Sequence, residues 1–179
     1  MSVIRQKFKK QETIRYLKKM ADLNKIHRAI FGKDRHLVTP VCVSEMICKH
    51  FLELNDYNGK KFDAQDAEGK TYEIKATSSK NGVTTISSAQ PDYLVWVLFD
   101  YDANKLVIKR IPFNKVSMAK TVENEAEIKD QIIDDSDQSS DNDRPSERHT
   151  ITLSKVFNDD NVDRIIQINM DTLEVIQNG

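Results

Sequence analysis

The sequence predicts one domain of mixed α+β class, on three observations. Apolar residues recur at helical spacing in about the first 55 positions, β-prone alternation occupies about 60 to 118, and helix-like and strand-like pieces mix after that. A chain of 179 residues can bury roughly 70% of the surface it would expose unfolded, so it needs neither disulfides nor a structural metal to hold a core. There is no internal repeat, and the expected organisation is a single domain over 1–179. It has a basic helical part to about 55, a sheet over about 60–118, and an acidic, flexible loop over about 134–147.

Ile14, Leu17, Ala21, Leu23, Ile26, His27 and Ile30 recur at steps of three and four between Gln11 and Phe31, which predicts two short amphipathic helices or one kinked helix, stopped at Gly32. Thr39 is the expected N-cap of the next helix with Pro40 at its first position. Its apolar face is Val43, Met46, Ile47, His50, Phe51 and Leu54. After the Asn58-Gly59 turn, Lys61 to Asp66 reads as a strand, Ala67 to Lys70 as a hairpin turn, and Thr71 to Thr77 as the partner strand. Thr84 to Ser88 is a polar β-prone stretch. Tyr93 to Phe99 is the most continuously apolar segment and the expected central strand, paired with Lys105 to Ile111 across Asp102-Ala103-Asn104. Order resumes at Ile151 and leads towards a short helix, and Arg164 to Ile168 is a late strand.

Composition excludes several classes. No apolar run reaches the roughly 18 residues of a membrane span, and the basic N-terminus lacks an apolar signal core, so a cytoplasmic protein with no membrane partner is expected. Cys42 and Cys48 lack the spacing of a zinc site and read as small buried or half-buried hydrophobes. His27, His36, His50 and His149 share no metal or triad spacing. The net charge of −1 conceals a strong asymmetry: residues 1–36 carry eleven Lys or Arg against three Asp or Glu, and residues 121–143 carry nine Asp or Glu against one Lys. A phosphate backbone responds to the local patch, so near-neutrality does not exclude nucleic acid. Lys9, Lys10, Lys18, Lys19, Lys25, Arg28, Lys33 and Arg35 are candidates for phosphate contacts, with a dimer interface along the apolar stripe as the alternative use of the same helices.

The arrangement that carries chemistry is Asp63 on one strand of the expected hairpin and Glu73-Ile74-Lys75 on the other. Side chains alternate along a strand, so Glu73 and Lys75 share a face, and Asp63 falls near Glu73 across the ladder. Two carboxylates held close repel unless a divalent cation sits between them, and Mg²⁺ takes one or two carboxylates with water and phosphate oxygens. The backbone carbonyl of Ile74 offers a third protein ligand, and Lys75 the adjacent cation that orients an attacking water and stabilises charge on a phosphate. A second ExK, Glu127-Ile128-Lys129, lacks an acid at hairpin distance and has an acidic helix-like setting, so it marks what chance supplies. The plain alternative is surface ion pairs across a half-exposed hairpin.

From Phe62 to Ala76, this stretch resembles the catalytic hairpin of the PD-(D/E)xK nucleases, and especially of small type II restriction endonucleases of the PvuII kind, over about Lys61 to Ser88. Phe62 stands where the signature has Pro. The resemblance implies a restriction-endonuclease-like central mixed sheet flanked by helices, Mg²⁺-dependent hydrolysis of double-stranded DNA with Mn²⁺ able to replace Mg²⁺, and a homodimer cutting both strands. It also implies a cognate DNA methyltransferase in the same system. It assigns Asp63 and Glu73 as metal ligands and Lys75 as the catalytic lysine. Glu45, on the preceding helix, is the candidate for an accessory acid at the metal, against its reading as an exposed surface residue. Asp66 competes with Asp63 for the ligand position but sits where a turn favours Asp. Ser78, Ser79, Lys80, Asn81, Thr84, Thr85, Ser87 and Ser88 are the candidates for contacts to base edges. Two rivals share some of these residues: a superfamily nuclease of repair, resolution or mobile-element processing, and a non-enzymatic nucleic-acid-binding domain.

Overall fold

The computed structural model of the chain describes residues 10–32, 37, 40–87, 89–116 and 148–178. The acidic 121–143 segment, the 134–147 loop, the second ExK, Thr39 and Ser88 lie outside them, as do the basic residues at 9, 33 and 35. Within the described residues the class is mixed α+β, as the sequence predicts, built on a seven-stranded sheet. Among them, no helix is long and apolar enough to cross a membrane.

The N-terminal periodicity yields one helix rather than two. α1 (Lys10–Phe31) runs unbroken because neither Pro nor Gly interrupts it, and Gly32, at a φ of +105°, supplies the left-handed residue that ends it. Its buried stripe is Thr13, Leu17, Met20, Ala21 and Asn24. Leu23, Ile26 and Ile30, part of the same apolar periodicity, are 53%, 57% and 67% exposed, so the helix carries two apolar stripes and only one faces inward. Lys25 and Arg28 pair with Asp171 at 2.7 Å and Asp102 at 2.9 Å, tying the end of α1 to two turns of the sheet.

α2 (Val41–Phe51) begins one residue later than expected. Pro40 is the cap itself, with φ −59° and ψ 140°, and the helix stops at Phe51 rather than Leu54. Val43, Ile47, Cys48 and Phe51 are buried, while Cys42, read as at least half-buried, is exposed.

The strands are β1 (Asn55–Asp56), β2 (Ala64–Gln65), β3 (Thr71–Thr77), β4 (Val83–Ser87), β5 (Tyr93–Asp100), β6 (Lys105–Pro112), β7 (Arg148–Thr152), β8 (Arg164–Asn169) and β9 (Val175–Asn178), with α3 (Leu153–Val156) after β7. The main sheet runs β1-β2-β3-β5-β6-β8-β9, with β3 and β5 parallel and its other pairs antiparallel. β4 and β7 form a separate two-stranded sheet. β5 takes the central place expected of it. Leu94 to Phe99 are buried without a break because one face meets α1 and α2 through Val95, Val97 and Phe99, and the other meets β4, β7 and α3 through Leu94, Trp96 and Leu98. Burying each such side chain contributes about 1.5–3 kcal/mol, so slipping β5 by one residue would exchange both cores at once. The register of β3 against β5 is fixed by that cost.

Asp92 secures the same register where the two strands begin. Its Oδ2 accepts from the Thr71 N–H at 2.8 Å and from the Thr71 hydroxyl at 2.9 Å, and those bonds, the backbone one first, hold its carboxyl below the usual range.

Candidate functional site

The hairpin forms, but its first strand is shorter than expected. β2 spans Ala64–Gln65 rather than residues 61–66, paired Ala64 with Tyr72 and Gln65 with Thr71. The reason lies in Asp63. Its N–H still donates to Tyr72 O at 3.0 Å, but its own carboxylate, not a backbone carbonyl, receives the next N–H of β3: Ile74 N donates to Asp63 Oδ2 at 2.7 Å. A side chain has replaced the ladder, and the backbone of Lys61 and Phe62 leaves the sheet.

This geometry brackets Glu73: just past the last ladder pair, Ala64 with Tyr72, Asp63 bonds β3 at Tyr72 O and at the Ile74 N–H, the residues on either side of Glu73. It also opens the edge of β3 past Tyr72, where β2 ends. Because N–H and C=O of one strand residue point to the same side, the Ile74 carbonyl faces that open edge beside the carboxylate its N–H holds. Glu73 and Lys75 lie on the opposite sheet face from Tyr72 and Ile74, whose side chains enter the core under α2. In register with Leu94 and Trp96, they share the face that carries the β4–β7 sheet. Lys75 Nζ forms an ion pair with Glu73 Oε1 at 2.7 Å, with the side chains 23% and 13% exposed. Among the described residues Asp63 Oδ1 and Glu73 Oε2 have no protein hydrogen-bond partner, so each carboxylate is oriented through one oxygen and offers the other.

Glu45 is not the surface residue its helical angle suggested. It is half-buried, since α2 packs across the edge of the sheet, and Lys49 lies 3.6 Å from its Oε2. Burial, and then the charge of Asp63, push its carboxyl up, and Lys49 opposes them. The buried Cys48 thiol is pushed well up by burial and by the same two carboxylates, which leaves it inert.

Asp66 is committed to the turn. Its Oδ1 accepts from the N–H groups of Glu68 and Lys70 at 3.0 and 2.9 Å, and its Oδ2 from the Tyr72 hydroxyl at 3.0 Å. Burial and that bond push Tyr72 up to about 12.

Among the described residues no three His, Cys, Asp or Glu side chains form a ready metal cage. The oxygens that neighbour one another along the hairpin are hard donors: the carboxylates of Asp63 and Glu73 and the carbonyl of Ile74. Such a partial set suits Mg²⁺, which keeps several waters and takes phosphate oxygens alongside one or two carboxylates.

The candidate base-reading residues divide between a turn and a ribbon. Ser78, Ser79, Lys80 and Asn81 form an exposed turn that is largely engaged with itself and its surroundings. Ser79 Oγ accepts from Asn81 N at 3.3 Å, Asn81 Oδ1 accepts from Ser154 Oγ at 3.4 Å, and Lys80 pairs with Asp100 at 3.0 Å. Thr84 and Thr85 lie on β4, Thr84 half-buried and Thr85 exposed. Ser87 ends that strand opposite Arg148, and its side chain lies outside the described residues. The sequence reading missed the partner strand. Thr150 on β7 stands opposite Thr85, also exposed, and the apolar-polar alternation of Thr150-Ile151-Thr152 was the available signal. Ile86 and Ile151, pointing inward, anchor this ribbon on Trp96 and Leu98, on the same sheet face as Glu73 and Lys75.

A family model described as the Bsp6I restriction endonuclease matches residues 5–151. No curated relative matches the chain.

Proposed function

The chain belongs to the Bsp6I restriction endonuclease family, and we propose that it is a type II enzyme of PD-(D/E)xK chemistry that hydrolyses both strands of a specific duplex sequence with Mg²⁺. The products are 5′-phosphate and 3′-hydroxyl ends. One juxtaposition supports the reading above all: the Asp63 carboxylate bound to the N–H of Ile74, the residue between Glu73 and Lys75, with the ammonium of Lys75 against Glu73.

Asp63, Glu73 and the Ile74 carbonyl would hold the ion, and Mn²⁺ would serve in its place. When bound, the ion supplies Lewis-acid stabilisation of charge on the phosphate. Lys75, positioned by Glu73, turns its remaining N–H groups towards the attacking water and the phosphate, orienting the one and stabilising charge on the other. Water adds to phosphorus and the bond to the 3′ oxygen breaks. The β4–β7 ribbon, with Thr85 and Thr150 outward, has the form of an element that enters a major groove, and it stands on the face from which Lys75 reaches a phosphate.

The exposed stripe of α1, Leu23, Ile26 and Ile30 with Tyr16 and Phe31, supports a homodimer through a second copy of this helix. Sedimentation should find a dimer that Leu23→Glu with Ile30→Glu converts to a monomer; a dimer that survives both changes would move the interface elsewhere. A methyltransferase modifying the same sequence would complete the system.

The function is tested by digesting plasmid and phage DNA with Mg²⁺, with EDTA as control. Discrete fragments, lost in EDTA, are expected, and sequencing their ends reads the site. A smear would replace sequence specificity with a structure-selective nuclease, and intact DNA retarded in a gel would overturn the catalytic reading.

A further inference from the structure

Two side chains stand where the strand of Lys75 meets the root of the β4–β7 ribbon. Thr77 ends β3 two residues beyond Lys75, and strand alternation puts it on the same sheet face. Trp96, beside Lys75 in the parallel register, donates its Nε1–H to Thr77 Oγ1 at 2.9 Å. A phenylalanine would bury the same kind of surface; the indole adds a donor, and the donor goes to Thr77. The Thr77 hydroxyl in turn donates to Ser79 O at 2.9 Å, a carbonyl that also accepts the Gly82 N–H at 3.1 Å. A Cβ at Gly82 would lie 2.5 Å from Thr77 Cγ2, so glycine is what lets this turn close on Thr77. The Gly82 carbonyl accepts the Leu153 N–H at 2.9 Å and so holds the first residue of α3. β4 starts at Val83 and β7 ends at Thr152, opposite each other, so both strands of the ribbon are rooted at this one bond. The indole also meets the far end of α3, its ring centroid 5.7 Å from that of Phe157.

We propose that Thr77, clamped by Trp96, is the joint that couples reading of the duplex by the ribbon to placement of the phosphate at Lys75. Both are positioning residues, acting through β3 and the root of the ribbon. The inference rests on the proposed roles of Lys75 and of the ribbon. A ribbon seated on the correct sequence delivers a phosphate to Lys75 only if its offset from β3 is fixed, and a misplacement of about 1 Å costs on the order of 10²-fold in rate. Trp96 to Thr77, Thr77 to Ser79 and Leu153 to Gly82 set that offset through short or backbone groups, with no long flexible side chain in the series. With the joint intact, a duplex that seats the ribbon fully brings its phosphate to Lys75 and an incorrect one does not. With the joint loosened, correct and incorrect sequences reach Lys75 in similar, poorer geometry, so discrimination is lost along with rate.

The test uses the full-length protein and two short duplexes: one carries the sequence read from the ends of the digest fragments, the other the same sequence with one base pair changed. Thr77→Val keeps the shape and removes the hydroxyl, and Trp96→Phe keeps a ring and removes the N–H. Each is expected to lower kcat on the correct duplex about tenfold with KM within about twofold, and to narrow the ratio of kcat/KM between the duplexes by a similar factor. Combined, they should cost no more than Thr77→Val alone, since that change already removes the acceptor of the indole N–H. Thr77→Ser, which keeps the hydroxyl, should retain both rate and ratio. Thermal melts set an assay temperature at which every variant is folded. An unchanged ratio in Thr77→Val, losses that multiply in the double variant, or a Thr77→Ser as impaired as Thr77→Val would overturn the proposal. A wild type that yields no discrete fragments removes the functional reading itself, an outcome distinct from a discriminating wild type beside an equally discriminating Thr77→Val.

Discussion

Replacing Lys75 by alanine is expected to reduce DNA cleavage by about a thousandfold or more while leaving DNA binding within a few-fold of the wild type. The scale follows from the role: a preorganised donor aimed at developing charge contributes about 10²–10³ in rate, and orienting the attacking water adds to it. The selectivity follows from the placement. Lys75 is largely buried against Glu73 on the sheet face, with its ammonium committed to Oε1 at 2.7 Å, so it has one nearby function to lose and little binding surface. Removing it leaves Glu73 largely withdrawn from water without its counter-charge, which costs up to about 3–5 kcal/mol, so a thermal melt of the variant accompanies the assay. Single-turnover cleavage of a plasmid, with gel retardation of the same DNA, measures both halves. Metal titration adds a discriminating readout. Glu73 loses its cation, so Mn²⁺ uptake should be unchanged or tighter in Lys75→Ala. Cleavage at the wild-type rate would remove Lys75 from the mechanism, and weaker metal uptake would recast it as part of the metal site's framework.

How much of this was written in the sequence depended on how local the determining interactions are. The β3 and β5 strands, the turn at Asp66 and the Asp63/Glu73/Lys75 arrangement rest on alternation and on a hairpin, so a window of some fifteen residues contains their causes. The length of β2 did not, because it is set by one side chain, Asp63, taking a ladder N–H. The parallel pairing of β3 with β5 and the antiparallel pairing of β4 with β7 join segments far apart in the chain, and no spacing announces them. Helical periodicity located α1 but could not tell which of its two apolar stripes faces the sheet. That choice falls to the stripe of Leu17 and Ala21, whose partners lie in other elements. The pairing of Lys49 on α2 with Asp56 likewise depends on where β1 lies.

Asp63→Asn is expected to abolish detectable cleavage and to weaken Mn²⁺ uptake severely, with a thermal melt close to wild type. The last clause makes the prediction specific. Asp63 has two tasks in the proposed reading: one oxygen receives the Ile74 N–H at 2.7 Å, where β2 ends, and the other would serve as a metal ligand. Asparagine retains a carbonyl oxygen for the first task and loses the negative charge needed for the second, since hard dications select carboxylates. Alanine loses both. Asp63→Ala should therefore melt lower than Asp63→Asn, by about 1–3 kcal/mol for the half-buried Ile74 N–H left without an acceptor, while the two bind metal equally poorly. Calorimetry and metal titration on this pair of variants separate the architectural bond from the chemical one. If Asp63→Asn bound Mn²⁺ like the wild type, the ligand would have to be sought at Glu45, since Asp66 has both oxygens engaged in its turn. If the two variants melted alike, the Ile74 bond would not be what shapes the hairpin, and the position of Asp63 beside β3 would owe more to the β2–β3 ladder than to its own side chain.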